Sequence, residues 1–218
     1  MLLSSTLSFM EQLAQNNNKS WFDTHKNEYL AAKDDYEALV TEVLAGMATL
    51  DPAFKDVDPK KSIMRIYRDV RFSKDKSPYK TNLGAGFGMG GGKNTGAGYY
   101  LHIEPGKSFA GGGLWQPEGP ALKAIRQEID YNFEEFGKIV NDKKFKKMFA
   151  QIDGDKLVKA PQGYSDDNPA IEYLRLKSFT VGAPLPDADL TKKGAAKKIV
   201  DAFATMKPFV DFLNKGVV

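Results

Sequence analysis

The segment most diagnostic of the fold runs from Gly98 to Trp115 and reads GYYLHIEPGKSFAGGGLW. Its residues 99–104 alternate, with apolar side chains at the odd positions and mainly polar side chains at the even ones, which is the pattern of a strand with one buried face. Pro105-Gly106 is a turn signal, and residues 108–115 form a second predicted strand. The segment therefore predicts a β-hairpin, and with it a sheet that is mostly antiparallel.

Helical patterns lie on both sides of this hairpin. Apolar residues recur every three or four positions in residues 4–15 and in a long stretch from about Ser20 to Met47. Four more helical stretches follow the hairpin, at residues 117–130, 132–140, 142–149 and 189–206. Pro208 is expected to kink or restart the last of these helices.

Other segments complete the predicted fold. Strands are predicted at Ser62–Val70 and Leu83–Phe87, whereas Tyr173–Val181 fits either a helix or a strand. Strands in the middle of the chain and helices at both ends favour an α+β fold over alternating β-α-β units. We expect a single domain over residues 1–218, in which a mostly antiparallel central sheet packs against a long N-terminal helix and C-terminal helices.

The composition excludes several classes of protein. Hydrophobic residues make up 42% of the chain, which is enough to build a globular core. The absence of cysteine rules out disulfides, thiolate metal sites and a cysteine nucleophile. No apolar run approaches the roughly 20 residues of a membrane span, and the N-terminus lacks the basic region of a signal peptide. We therefore expect a cytoplasmic protein with no membrane partner.

The positive charge of the chain is concentrated in the basic segment, Lys60–Lys80, which reads KKSIMRIYRDVRFSKDKSPYK. It holds eight basic and two acidic residues, a net charge of +6 in a chain whose formal total is +3. Charges this dense repel one another and destabilise the fold unless acids, solvent or a bound anion offset them. The segment therefore predicts a site for a phosphate- or carboxylate-bearing ligand.

The predicted anion site uses most of the charged side chains of this segment. The residues expected to contact the anion are Arg65, Arg68, Arg71, Lys74, Lys76, Tyr79 and Lys80. Asp69 and Asp75 are expected to orient the arginines. The partner would be an anionic small molecule or a nucleic-acid backbone, although no RRM, KH, helix-turn-helix or zinc-finger signature occurs. The alternative is a lattice of ion pairs that binds no ligand.

A glycine-rich stretch follows the basic segment. From Gly84 to Gly98 the sequence GAGFGMGGGKNTGAG contains eight glycines. It is not a P-loop, because Phe87 and Asn94 occupy the first glycine and the Ser/Thr positions of that motif. No helix is predicted directly after it, which argues against a dinucleotide-binding loop. The stretch is interpreted as a hairpin loop, with a phosphate cradle or a mobile flap over the basic site as alternatives.

The chain contains two histidines. His102 and Glu104 share one face of a predicted strand, two residues apart, which suits an acid–base pair or part of a metal site. His25 lies on the apolar stripe of the long helix, where a hydrogen-bonded core histidine is the simplest interpretation. His25, His102 and Glu104 are the candidate catalytic residues, and a polar, solvent-facing sheet surface is the alternative for the pair. Two residues do not specify a metal site, so none is predicted.

Short motifs are distributed along the whole chain. They are Asn17-Asn18-Lys19, Trp21-Phe22, His25-Lys26, Arg65-x-x-Arg68-Asp69-x-Arg71-Phe72, Asp75-Lys76-x-x-Tyr79-Lys80, Gly98-Tyr99-Tyr100-Leu101-His102-Ile103, Gly112-Gly113-Leu114-Trp115 with Pro117, Pro161-x-Gly163-Tyr164 and Leu176-Lys177-Ser178-Phe179. In this order they resemble the DUF2461 family of conserved hypothetical proteins. The resemblance implies a mostly bacterial family of about this length, with no established activity, cofactor or partner.

The resemblance also implies that two of the motifs belong together. Trp21, His25 and Lys26 would then border the same pocket as the arginines of the basic segment. The leading interpretation is an anion-binding domain. The alternatives are an enzyme that acts on a phosphoester with a histidine as acid or base, and a non-catalytic domain whose basic face binds an acidic protein. The sequence assigns no cofactor and no oligomeric state.

Overall fold

The predicted hairpin is present in the computed structural model, which describes residues 1–88 and 96–217. The strands of the sheet are β1 (Leu83–Gly88), β2 (Gly98–Ile103), β3 (Phe109–Leu114) and β4 (Phe179–Pro184). They form a four-stranded antiparallel sheet in the order β1-β2-β3-β4. Burial alternates along β2, as the sequence pattern predicted, so its odd-numbered residues lie in the core.

Helices precede and follow the strands. The described residues form α1 (Ser4–Gln15), α2 (Lys19–Thr24), α3 (Lys26–Leu50), α4 (Pro59–Ser62), α5 (Gly119–Tyr131), α6 (Phe133–Val140), α7 (Lys143–Met148), α8 (Ile171–Leu174), α9 (Asp187–Leu190) and α10 (Ala195–Lys215), with one 3-10 turn at Pro52–Phe54. The α+β fold class, with its long N-terminal helix, is confirmed.

The chain divides into two compact units. The first consists of Met1–Gly86, Tyr100–Ala110 and Pro184–Asp201. Within it α3 packs beside β2, because Tyr36 is fully buried and its hydroxyl donates a hydrogen bond of 3.3 Å to the carbonyl oxygen of Leu101. Helix α1 is tied to α3 by the Thr6 hydroxyl, which donates to a carboxylate oxygen of Asp35 at 2.6 Å.

The second unit has an aromatic core. It consists of Phe87–Tyr99, Gly111–Ala183 and Ala202–Val218. The ring of Phe203 in α10 lies 5.7 Å from that of Phe87 and 5.2 Å from that of Tyr99, measured between centroids. Gly113 has a φ of +118°, and a Cβ there would lie 2.0 Å from the carbonyl oxygen of Phe179, so only glycine fits this approach of β3 to β4.

The prediction of one domain over the whole chain stays a prediction.

The long helix predicted from Ser20 to Met47 is wrong in one respect, because the structure divides it at His25 into α2 and α3. The Thr24 hydroxyl donates to the carbonyl oxygen of Trp21 at 2.8 Å, and Nδ1 of His25 lies 2.8 Å from the same oxygen. Side chains that bond to the backbone locally compete with the helix ladder, and His25 adopts φ −105° and ψ 20°. The apolar stripe continues across this break, which is why periodicity alone missed it.

The strand predicted at Ser62–Val70 is also wrong. Ser62 ends α4, and the residues after it make only isolated antiparallel bridges, Ile63 with Ala85 and Tyr67 with Tyr79. The two bridges are four positions apart in the first stretch, from Ile63 to Tyr67, but six positions apart in its partner, from Tyr79 to Ala85. The register of the pairing therefore shifts between the bridges, and no continuous ladder forms.

The C-terminal predictions needed smaller corrections. The stretch Tyr173–Val181, predicted to be either a helix or a strand, contains part of each, because α8 ends at Leu174 and β4 begins at Phe179. The helix predicted at residues 189–206 is two helices, α9 and α10, and Gly194 between them has a φ of +96°. Helix α10 continues through Pro208 to Lys215, so the proline does not restart it. In the part of the chain that the structure describes, every helix is too short or too polar to cross a membrane.

Candidate functional site

The basic segment folds back on itself beside β1. The backbone N–H of Lys80 donates to the carbonyl oxygen of Ile66 at 2.8 Å, and that of Arg68 donates to Pro78 at 2.9 Å. These two bonds and the Tyr67–Tyr79 bridge close a loop whose tip carries residues 69–77. Apart from Lys60 and Lys61, which lie in α4, the charged side chains of the segment are therefore presented on a loop and its base, not along one strand face.

Arg68 holds the tip of this loop. Its Nη1 donates to a carboxylate oxygen of Asp75 at 2.5 Å and to the carbonyl oxygen of Ser77 at 3.1 Å. The backbone N–H and hydroxyl of Ser77 both donate to the other Asp75 oxygen. The bonds from Ser77, and then the one from Arg68, lower the pKa of Asp75 to about 2. Arg68 and Asp75 thus fix the shape of the loop.

Arg71 forms a second ion pair, with Asp69. Its Nε and Nη2 donate to the carboxylate of Asp69, at 3.0 Å and 2.7 Å for the shorter contacts, and its guanidinium lies 5.8 Å from the ring centroid of Phe72. The hydrogen bond from Arg71 lowers the pKa of Asp69. Nearby, Nζ of Lys76 donates to the carbonyl oxygen of Val70 at 2.9 Å. Three of the predicted anion ligands, Arg68, Arg71 and Lys76, therefore already have protein acceptors.

Three other cations of the segment are placed differently. Within residues 1–88 and 96–217, Arg65, Lys74 and Lys80 have no ion pair and no side-chain hydrogen bond. Arg65 and Lys74 are exposed and Lys80 is half-buried. Burial lowers the pKa of Lys80, and the nearby positive charge of Arg65 lowers it further. Arg65 precedes Ile66, whose carbonyl oxygen accepts from the Lys80 N–H, so the two cations are neighbours. Neither forms an ion pair among the described residues, although the charge of Arg65 helps to lower the pKa of Asp69.

The Trp21 motif meets the basic segment through Tyr79. Asn17 binds both polar backbone groups of Tyr79: its Nδ2 donates to the carbonyl oxygen at 2.9 Å, and its Oδ1 accepts from the N–H at 3.1 Å. The Phe22 ring stacks on the Tyr79 ring, with centroids 3.9 Å apart and planes inclined by 15°. The buried Tyr79 ring lies 5.5 Å from that of Tyr67. The N-terminal motifs therefore contact the basic segment through aromatic packing and backbone bonds of Asn17 and Phe22. That Trp21, His25 and Lys26 border a pocket with the arginines stays a prediction.

The proposed pocket-border residues lie on the α2–α3 junction. The ring of His25 stacks on that of Trp21, with centroids 4.0 Å apart, and Trp21 stacks on Phe9 at 5.9 Å. Lys26 is exposed at the first position of α3. His25 is thus held by its own helix turn and an aromatic stack, as expected of a structural histidine.

A second polar cluster lies on the face of β2 opposite the core. Nε2 of His102 lies 3.1 Å from a carboxylate oxygen of Glu104, and Nδ1 lies 3.2 Å from the hydroxyl of Tyr100. The His102 ring stacks on Phe109, with centroids 4.8 Å apart and planes inclined by 18°. The side chains of His102 and Glu104 are only 16% and 23% exposed, so the pair is a partly desolvated network and not a loose surface contact.

The charge of Glu104 is well supported. Its second oxygen accepts from the Thr81 hydroxyl at 3.2 Å and lies 3.7 Å from Nζ of Lys107. Burial by itself would raise the pKa of Glu104, but the bonds and charges of His102, Lys107 and Thr81 outweigh it, and the pKa lies below its usual value. The carboxylate is therefore ionised at neutral pH.

Sequence reasoning missed two partners of this network. Tyr100 is two residues before His102 on the same strand face, so the alternation that paired His102 with Glu104 also contained it. Thr81 gave no signal, because the contact of its hydroxyl with Glu104 depends on the fold. The described residues contain no group of three histidines and carboxylates able to hold a metal. Residues 89–95 of the glycine-rich stretch lie outside the described residues, as do the predictions made for them.

Comparison with known proteins identifies the family. The model of a family described as conserved hypothetical protein (DUF2461) matches residues 5–212. The chain therefore belongs to this family. No curated protein and no solved structure matches it.

Proposed function

We propose that this protein binds a small phosphate- or carboxylate-bearing ligand at Arg65 and Lys80. The observation that supports the proposal is that Arg65 and Lys80 are neighbours at the base of the loop and that neither forms an ion pair among the described residues. Burial, and then the charge of Arg65, lowers the pKa of Lys80. Two neighbouring like charges destabilise a fold unless something offsets them. A bound anion would do so.

The proposed site uses fewer residues than the sequence predicted, because several of the predicted anion ligands already have protein partners. Arg68, Arg71 and Lys76 have protein acceptors, and Tyr79 is buried in an aromatic stack. In this proposal those residues shape and hold the loop. Arg65 supplies a planar guanidinium that binds two oxygens at once, and Lys80 adds a compact ammonium beside it.

The base of the loop favours a fixed site at Lys80. The bond from its backbone N–H to Ile66 and the neighbouring contacts of Tyr79 with Asn17 position the Lys80 backbone on both sides. A cation on a fixed backbone loses less freedom when it binds a ligand than one on a mobile loop. We therefore favour a small anion bound at the base of the loop over a ligand that is attracted only by the overall positive charge of its tip.

The experiment compares melting temperatures with and without added inorganic phosphate. The variant is Arg65→Gln with Lys80→Gln, and the matched control is Lys143→Gln with Lys144→Gln, which removes two exposed charges from α7. A ligand present at 100 times its Kd stabilises the folded state by about 2.7 kcal/mol. Phosphate should raise the melting temperature of the wild type and the control, and have little effect on the Arg65–Lys80 variant.

Two outcomes would contradict the proposal. One is an equal phosphate effect in the Arg65–Lys80 variant and in the control. The other is no effect of phosphate, citrate or nucleotides on any of the three proteins. A short single-stranded oligonucleotide tests the nucleic-acid alternative, because binding through several phosphates weakens steeply as the salt concentration rises.

A further inference from the structure

Tyr100, His102 and Glu104 form a hydrogen-bonded row along one strand face. Both nitrogens of the imidazole are engaged, Nδ1 with the Tyr100 hydroxyl and Nε2 with Glu104. This cluster involves neither Arg65 nor Lys80, so any role of the row is independent of the proposed anion site.

The direction of the hydrogen bonds follows from the partners. An ionised carboxylate only accepts, so the proton of a neutral imidazole lies on Nε2 and is donated to Glu104. Nδ1 then carries the lone pair and accepts from the Tyr100 hydroxyl. The imidazole is thus in the tautomer that can take the phenol proton, and the carboxylate behind it stabilises the imidazolium that would form.

The surroundings hold each member of the row in place. Stacking on Phe109 fixes the plane of the imidazole, and Thr81 fixes the carboxylate. Asn82 Nδ2 lies 3.4 Å from the Tyr100 oxygen and would donate to a phenolate. The hydroxyl lies over Gly84, where a Cβ would be 2.7 Å from it, so β1 leaves room for this phenol.

The state of the phenol explains why a base is needed. Burial raises the pKa of Tyr100, so the hydroxyl stays protonated at neutral pH. A weak nucleophile of this kind is activated by an adjacent base that a third group orients.

We propose that Tyr100, His102 and Glu104 form a catalytic relay in which the Tyr100 oxygen is the nucleophile toward an ester or phosphoester. The Tyr100 oxygen forms a bond to the electrophilic carbon or phosphorus, and the leaving group departs with the electrons of the bond that breaks. The phenol proton passes to Nδ1 of His102. The positive imidazolium is then paired with Glu104, which also keeps its bond to Thr81, and it gives the proton to the departing group. Water, with His102 again as the base, breaks the new bond to the Tyr100 oxygen and restores the phenol.

The test uses an aryl sulfonyl fluoride, which reports nucleophilic tyrosines and needs no knowledge of the substrate. The Tyr100 oxygen would bond to sulfur, fluoride would leave, and the proton would pass to His102. Mass spectrometry gives the labelling rate of Tyr100 relative to Tyr131, a 74% exposed tyrosine in the same sample. A general base contributes about 100-fold or more, so Tyr100 should label faster than Tyr131 although it is less exposed.

Variants separate the relay from a structural role. His102→Gln should reduce the Tyr100 to Tyr131 labelling ratio to about that of an unassisted phenol, roughly 100-fold lower, and added imidazole should partly restore it. Glu104→Gln should lower the ratio by a smaller factor, while Arg65→Gln with Lys80→Gln should not change it. Circular dichroism is used to check that each variant is folded. A wild-type ratio below one, or a ratio that His102→Gln leaves unchanged in a folded protein, would overturn the proposal.

Discussion

Replacing Asn17 by aspartate changes one atom of the contact that joins the N-terminal motif to the basic segment. In the native protein the amide donates to the carbonyl oxygen of Tyr79 and accepts from its N–H. Asn17→Asp keeps the acceptor and replaces the donor by a charged oxygen that faces the carbonyl oxygen. The loss of one hydrogen bond costs about 1 kcal/mol, and the unsatisfied carbonyl adds about 1–3 kcal/mol.

We therefore expect Asn17→Asp to lower the free energy of unfolding by at least about 2 kcal/mol at pH 7. The assay is urea unfolding at constant slope, with Asn16→Asp as the control. That change introduces the same charge one residue earlier and removes only an exposed hydrogen bond of Asn16 to Gln12. The control should lose less than about 1 kcal/mol.

The pH dependence makes this prediction sharper. A protonated carboxyl at residue 17 can donate to Tyr79 as the amide does, so folding favours its protonated form and raises its pKa. The difference in stability from the wild type is then small below the ordinary aspartate pKa of about 3.9. It grows as the pH rises through the higher pKa of the folded state. Equal stability of the two variants at pH 7, or a deficit that is the same at pH 4 and pH 7, would contradict the assigned role of the Asn17 amide.

Two further predictions concern packing and the loop. Phe22→Ala should lower the free energy of unfolding in urea by about 3–5 kcal/mol, because Phe22 is buried against Tyr79. In the control, Phe72→Ala, the ring is 94% exposed, and the change should stay within about 0.5 kcal/mol. Similar losses of stability in the two variants would contradict this packing. Asp75→Asn should be less stable than the wild type at neutral pH. Because bonds from Ser77 and Arg68 depress the pKa of Asp75 to about 2, its contribution is complete above the ordinary value and is lost as the pH falls through about 2, so the two proteins should converge in acid.

Local signals predicted the elements whose contacts are local. The hairpin of β2 and β3 follows from alternation and a Pro-Gly turn, both contained in residues 98–115. The break at His25 is also local, but it depends on side-chain bonds to Trp21 that do not disturb the apolar periodicity. The failure at Ser62–Val70 has a different cause, since a strand requires a partner in register and the partner here slips by two residues.

The same distinction applies to the candidate site. The sequence showed an excess of positive charge, and proximity in the chain placed Asp69 and Asp75 beside the arginines. Which arginine each acid binds depends on how the loop closes. Only the structure therefore separates the cations that have protein acceptors from the Arg65–Lys80 pair. The contact of Asn17 with Tyr79 spans 62 positions and has no counterpart in any local pattern.

The bridges beside the outer strands also bear on association between molecules. An open strand edge offers unpaired N–H and C=O groups to which another chain can add a strand. Here Ile63 bridges Ala85 beside β1, and Asp153 bridges Thr180 in β4. Beside β1 the covering chain is also strongly positive and out of register. Identical molecules would repel one another there, so the charge that makes the segment a candidate ligand site also protects the sheet from edge-to-edge aggregation.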